Sequence, residues 1–178
     1  KIEYKDLLDA GVHFGHLTRK WDPRMSPYIF MEKNGIHIID LNKTLACLEE
    51  ASNAIKQIVR SGKKIMFVAT KKQAKDLVAA EAQRLNMPFV TERWLGGMLT
   101  NYATIRKSLK KMSSLEKLMK EEGYKNLAKK ERLMVSRQKE KMETILGGIA
   151  DLSRLPAALF VVDIKREHIA IAEAQKLG

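Results

Sequence analysis

Two apolar runs constrain this chain more than any other feature. Neither Lys64-Ile-Met-Phe-Val-Ala-Thr70 nor Ala157-Ala-Leu-Phe-Val-Val-Asp163 alternates apolar with polar residues. A strand with one wet face alternates with a period of two, so these runs read as parallel strands covered on both faces. A helical pattern over residues 72–85 and a short strand near Phe89 and Val90 follow the first run, and a helical pattern over 167–177 follows the second. Strand and helix in alternation mean a parallel sheet wound with helices through right-handed crossovers. The expectation is an α/β fold in which the strands near 64–69 and 157–163 lie side by side or one strand apart, with helices on both faces. The last helix should feed a further strand, so the pattern also implies that the natural protein continues past Gly178.

The residues ahead of the first run are patterned differently. Residues 4–10 predict a short helix stopped at Gly11, and residues 12–27, with His13, Gly15, His16, Pro23 and Pro27, predict an irregular loop. Residues 28–31 and 36–40 are apolar runs joined by Glu-Lys-Asn-Gly, and Asn-Gly between two such runs signals a hairpin. Leu45, Leu48, Ala51, Ile55 and Ile58 recur at helical spacing, which predicts a helix over 41–60. Cys47, between Ala46 and Leu48 on that helix, is expected as a small core residue.

Residues 102–150 interrupt the α/β pattern. Ile105, Leu109, Met112 and Met119 make one apolar stripe, and Leu127, Met134, Met142, Ile145 and Ile149 make another, with Glu-Glu-Gly-Tyr at 121–124 between them. Two amphipathic helices joined by a glycine turn predict an antiparallel coiled-coil hairpin that protrudes from a globular domain of residues 1–101 and 151–178. Residues 105–150 hold thirteen Lys/Arg against six Asp/Glu, a surplus of seven within a net charge of +12. A surplus of this size points to a polyanion, nucleic acid ahead of an anionic membrane. No apolar run approaches the roughly 20 residues of a membrane span. The start, where Lys1, Glu3, Lys5 and Asp6 are charged, has no signal-peptide pattern. A membrane-surface role would need a Trp/Phe-rich amphipathic face, which the sequence lacks. The single cysteine fits a reducing, cytoplasmic setting.

The chemistry concentrates at Arg93-Trp-Leu-Gly-Gly-Met-Leu-Thr-Asn101. Gly96 and Gly97 let the backbone turn tightly and lie against another surface. Thr100 or Asn101 can cap the next helix and aim its free N–H groups outward, so that with Arg93 and Arg106 the turn is a ready phosphate site. No Gly-Lys-Ser/Thr triplet is present, which excludes a P-loop and leaves an RNA backbone as the better ligand. Lys107, Lys110 and Lys111 continue the basic surface along the helix. A second basic group, Arg19, Lys20 and Arg24, surrounds Trp21, with His16 close by. These cations are expected on phosphates and Trp21 in the core, although a ring on a loop can also stack on a base. His13 and His16 leave packing, RNA contact and metal binding open, and a metal would need further ligands. Asp163 stands at the carboxyl end of a parallel strand, with Glu167 and His168 nearby, where open α/β sheets bind ligands. Neither a nucleophile elbow nor a dinucleotide fingerprint accompanies them. No catalytic residue, cofactor or metal is therefore assigned, and Asp163 and His168 are expected to be structural. The alternative is an enzyme that binds a phosphorylated metabolite or a nucleotide on the same sheet.

Three blocks together resemble the family of the bacterial small-subunit ribosomal protein conventionally numbered two. They are Leu-Leu-Asp-Ala-Gly-Val-His-Phe-Gly-His-Leu-Thr-Arg-Lys-Trp-Asp-Pro-Arg-Met at 7–25 with Tyr28, Ile29 and residues 38–44; Arg93 through Asn101; and Pro156 through Asp163 with Glu173 and Ala174. The resemblance runs over the whole chain. It implies a flavodoxin-like domain with a protruding helical hairpin and a place on the solvent side of the small subunit, between head and body. It further implies contact with small-subunit ribosomal RNA, a role in assembly, and help in recruiting the large ribosomal protein numbered one, which captures messenger RNA. The family has no catalytic site to transfer.

Overall fold

The computed structural model describes residues 2–121 and 123–178. Lys1 lies outside the described residues, as does Glu122 in the predicted break at 121–124. The chain divides into two compact units, one running to Gln57 and the other from Ile58 to Gly178.

In the first unit, α1 (Tyr4–Asp9) opens with the Asp6 carboxylate accepting from the Glu3 N–H at 2.8 Å. Strands β1 (Phe14–Leu17), β2 (Ile29–Lys33) and β3 (Ile36–Ile39) form an antiparallel sheet in the order β1-β3-β2. The expected hairpin is β2–β3, and its Asn34 and Gly35 both take left-handed angles (φ 53° and 71°), the geometry that matches the twist of the flanking strands. Strand β1 corrects the expectation of an irregular segment over 12–27. Its pairing with β3 brings Gly15 so close that a Cβ there would meet the His37 carbonyl oxygen at 2.8 Å. The glycine that argued for a loop is what admits the strand. Helix α2 (Leu41–Arg60) starts in this unit and crosses the boundary, with the Asp40 carboxylate accepting from the Asn42 N–H at 3.0 Å. Leu45, Leu48, Ser52 and Ile55 form its half-buried stripe. Cys47 falls off that stripe and is exposed, against the expectation of a core position.

The second unit carries β4 (Ile65–Val68), α3 (Lys75–Arg84), β5 (Phe89–Val90), α4 (Tyr102–Lys120), α5 (Gly123–Asn126), α6 (Lys129–Leu146), β6 (Ala158–Val161) and α7 (His168–Leu177). The three strands are parallel in the order β5-β4-β6, so the two predicted runs are neighbours, with Ile65 opposite Ala158 and Val68 opposite Val161. Helices flank this sheet. Met66 and Val68 are fully buried in the core, while Phe67 turns the other way to meet Phe160 at a ring separation of 5.3 Å. Cover on both sides is why the first run shows no alternation, whereas in the second Phe160 is exposed, against the expectation of cover on both faces.

The core joins Met66, Val68 and Val90 of the sheet to Trp94 and Met98 of the following turn, to Ile105 and Leu109 near the start of α4, and to Leu146 near the end of α6. Helices α4 and α6 therefore return along one another where they meet the sheet. Met112 and Met142 pack against this core as expected, but Met134 is 62% exposed. The inner side of α6 runs instead through Val135, Lys139, Met142 and Leu146, steps of four and three that keep one stripe, which Met134 misses.

Candidate nucleic-acid interface

The turn after β5 is organised by one carboxylate. Glu173, on the inner side of α7 and buried, accepts from Trp94 Nε1 (3.1 Å), from the N–H of Gly97 (2.7 Å), Leu99 (2.9 Å) and Thr100 (3.0 Å), and from the Thr100 hydroxyl (3.2 Å). Burial pushes the Glu173 carboxyl pKa up, but the hydrogen bonds from Thr100, Trp94, Leu99 and Gly97 outweigh it and hold it down at about 2. A backbone that presents successive N–H groups in a turn attracts anions, and here the anion is internal. Gly97 has φ 86°, and a Cβ on it would stand 3.1 Å from Asn101 Cβ, so the turn requires glycine there.

The amides that Glu173 takes precede Asn101, the N-cap of α4, so they are not the first N–H groups of that helix. The N–H groups of Gly97, Leu99 and Thr100 are not aimed outward, because Glu173 takes them. Asn101 stands at the N-cap of α4 without a side-chain cap; its Oδ1 accepts from the Thr104 hydroxyl at 3.0 Å. What the turn offers solvent is side chains: Arg93, Asn101 and Arg106 are exposed, as is Gly96. Sequence reasoning missed Glu173 because its partners lie 73–79 residues away. The available signal was a lone carboxylate in the apolar stretch Ile-Ala-Ile-Ala-Glu-Ala of α7.

The basic candidates fall into two sets. Arg106, Lys107, Lys110 and Lys111 are exposed, stand three or four residues apart in pairs on α4, and form no ion pair among the described residues. Further along, Lys120 pairs with Glu116 at 2.8 Å and Lys139 of α6 with Glu143 at 3.1 Å. His16, Arg19, Lys20 and Arg24 are also exposed, but they belong to the first unit. There, Thr18–Lys20 and Pro23–Tyr28 are short 3-10 turns, and the Asp22 carboxylate accepts from the Arg24 N–H at 3.1 Å. Trp21 is half-buried, edge-on to His37 at 4.8 Å. The Nδ1 atoms of His13 and His37 are buried without a hydrogen-bond partner, and among the described residues no group of three His, Cys, Asp or Glu could hold a metal ion.

At the carboxyl end of β4 and β6 the polar groups are paired with one another. Asp163 (φ 69°) meets Lys71 at 3.0 Å, and the Lys71 hydrogen bond holds its pKa below the usual carboxylate range. Glu167 is 4% exposed and accepts from the Thr70 N–H at 3.1 Å and from the Thr70 hydroxyl; that hydroxyl in turn accepts from Arg166 Nε at 3.0 Å. This is the crevice in which an open α/β sheet would seat a metabolite. Here its side chains tie the β4–α3 loop to the start of α7; His168, the first residue of that helix, is exposed. No described helix is long and apolar enough to cross a membrane.

Residues 7–178 match the family described as ribosomal protein S2. Among curated proteins, the chain is similar over all of its 178 residues to proteins named small ribosomal subunit protein uS2. It is 76% identical to that of Cytophaga hutchinsonii and 68% identical to that of Flavobacterium johnsoniae, covering 70% of each. It is 60% identical to that of Bacteroides thetaiotaomicron, covering 64%. With its α/β fold, parallel sheet and full-length identity of this order, the chain belongs to the ribosomal protein S2 family.

Proposed function

We propose that the protein is a structural constituent of the small ribosomal subunit that binds small-subunit ribosomal RNA chiefly through its phosphates. The observation that carries this reading is the placement of charge. Residues 1–57 hold eight Lys/Arg and eight Asp/Glu, whereas residues 58–178 hold twenty-five against thirteen, so the second unit carries the whole excess of +12. A concentrated positive field favours a phosphate backbone and makes binding salt-dependent. Arg93, Arg106, Lys107, Lys110 and Lys111 supply the contacts, with residues 102–150 acting as an arm beyond the sheet. Gly96, Gly97 and Asn101 shape the turn that aims them. His16, Arg19, Lys20 and Arg24 add a second, weaker contact. In this reading the protein works on cytoplasmic ribosomes, supports assembly and translation, and helps to dock the large mRNA-capturing ribosomal protein numbered one. It catalyses no reaction.

The test is a titration of the protein onto small-subunit ribosomal RNA at several salt concentrations. Affinity should fall steeply with salt, each phosphate contact adding roughly 0.7 to 0.9 to the log–log slope. A salt-insensitive affinity, or tight saturable binding of a nucleotide, overturns it.

A further inference from the structure

The amino ends of β4 and β6 carry a second concentration of unpaired charge. Parallel pairing sets Ile65 opposite Ala158, and the Ala157 N–H donates to the Lys64 carbonyl at 2.9 Å. That pairing forces the two segments that lead into the strands, 62–64 and 151–157, to the same edge of the sheet. Between them lies an open cavity of about 430 Å³, lined by Lys63, Lys64, Asp151, Ser153 and Arg154 among others. All five side chains are exposed. Among the described residues, none of the three cations has an ion pair or a side-chain hydrogen bond. The same is true of Asp151, the one carboxylate in the lining. A second cavity, of about 490 Å³, shares Lys64, Asp151 and Leu152 with the first and extends to Glu143, Thr144 and Gly147 at the end of α6. The basic concavity therefore sits at the foot of the basic helix pair.

The geometry points to a second phosphodiester-binding site here, formed by Lys63, Lys64 and Arg154, that holds the backbone of a structured RNA. It rests on the RNA reading above and adds a contact at the sheet edge that none of the residues assigned so far makes. Three like charges around one concavity repel one another, and a polyanion removes that repulsion by neutralising all three at once. Flexible lysines and the planar Arg154 fork both suit phosphate oxygens, with the Ser153 hydroxyl as an added donor. An open rim of exposed side chains admits a passing backbone, whereas a metabolite site encloses most of its ligand.

The experiment compares three forms of the whole chain with the parent, each titrated onto small-subunit ribosomal RNA across a salt series. The first combines Lys63→Gln, Lys64→Gln and Arg154→Gln, which keeps the side-chain stems and leaves the Lys64 carbonyl bond in place. Its slope should fall by roughly 2.1 to 2.7, at about 0.7 to 0.9 for each of three phosphates that are no longer neutralised. The second, Asp151→Asn, removes the only carboxylate and should tighten binding several-fold at low salt, a gain that no loss of folding can imitate. The third combines Lys107→Gln, Lys110→Gln and Lys111→Gln and reports on the α4 contact alone. If the α4 form flattens the slope while the first form and Asp151→Asn leave it unchanged, the sheet-edge site is wrong and the RNA reading stands. If the parent shows no salt-dependent binding, both fall. Tight saturable binding of a nucleoside monophosphate that the first form abolishes would also overturn the proposal, in favour of a small phosphorylated ligand.

Discussion

Each unit uses a carboxylate where the chain enters a helix beside a sheet, and the two are placed differently. At the start of α2, Asp40 caps from the adjoining residue, partly exposed, with Lys43 beside it at 3.9 Å. Before α4, Glu173 instead holds the preceding turn from another helix, buried, and its described partners include no cation. A carboxylate next in sequence fixes one helix end. A carboxylate 73 residues away fixes the turn before a helix to the rest of the core, because the bonds cannot form unless α7 is already packed on the sheet. The contrast extends to charge: the first unit is balanced, and the second holds twenty-five Lys/Arg against thirteen Asp/Glu.

The sharpest break of that contrast is to remove each carboxylate. Glu173→Ala leaves three backbone N–H groups and the Trp94 indole without their partner, and should cost roughly 4 kcal/mol. Asp40→Ala should cost about 1 kcal/mol, as an ordinary cap does. Urea unfolding, with hydrogen exchange read in each unit, checks both; equal costs would mean that Glu173 does not hold the turn. Acid gives a second reading of the same group. The folded pKa of Glu173 lies at about 2, below its ordinary 4.5. Its contribution, about 3 kcal/mol by linkage, is therefore fully present above about pH 4.5 and is lost as pH falls towards 2. In Glu173→Gln that part of the acid dependence should be missing.

How much of this could be read from the sequence depends on how local each signal is. The ends of α2, the β2–β3 turn and the adjacent β4 and β6 follow from periodicity and from Asn34-Gly35, which act within a few residues. Strand β1 was not legible, because what makes Phe14–Leu17 a strand is the close approach of Gly15 to His37 on a strand still to come. At the candidate site the residue types were legible in the sequence, and the hydrogen bonding of the turn was not. Arg93 and Arg106 are exposed as expected of free cations, but which anion the turn amides meet depends on Glu173, a contact between distant segments.

A smaller effect separates the buried and exposed sides of the helix pair in the second unit. Met112→Asp or Met142→Asp places an ionised group against the core and should cost roughly 3 kcal/mol or splay the helices. Met134→Asp, on a 62% exposed side chain of α6, should stay within about 0.5 kcal/mol. Circular dichroism and thermal melting decide it, and a Met134→Asp as damaging as Met142→Asp would restore the stripe drawn from the sequence alone.

The smallest effects should fall on RNA binding, where the comparison of units turns on charge rather than on folding. Replacing Arg93 and Arg106 together by Ala removes two exposed cations from a unit with twelve in excess, neither of them held in an ion pair. The Glu173 bonds are untouched, so melting should be unchanged while the salt slope falls by roughly 1.4 to 1.8. Replacing Arg19 and Lys20 by Ala makes the same formal change in a unit with no excess, where Asp22 stands next to them. A phosphate approaching that balanced surface gains less from each cation and meets more repulsion, so the slope should fall by less than in the first pair. Asp163→Ala should leave RNA affinity where it was, because its partner is Lys71 within the fold. If the Arg19 and Lys20 pair flattened the slope more than the Arg93 and Arg106 pair, charge balance over a whole unit would be the wrong guide. The local geometry of the 3-10 turns would then have to carry the interface.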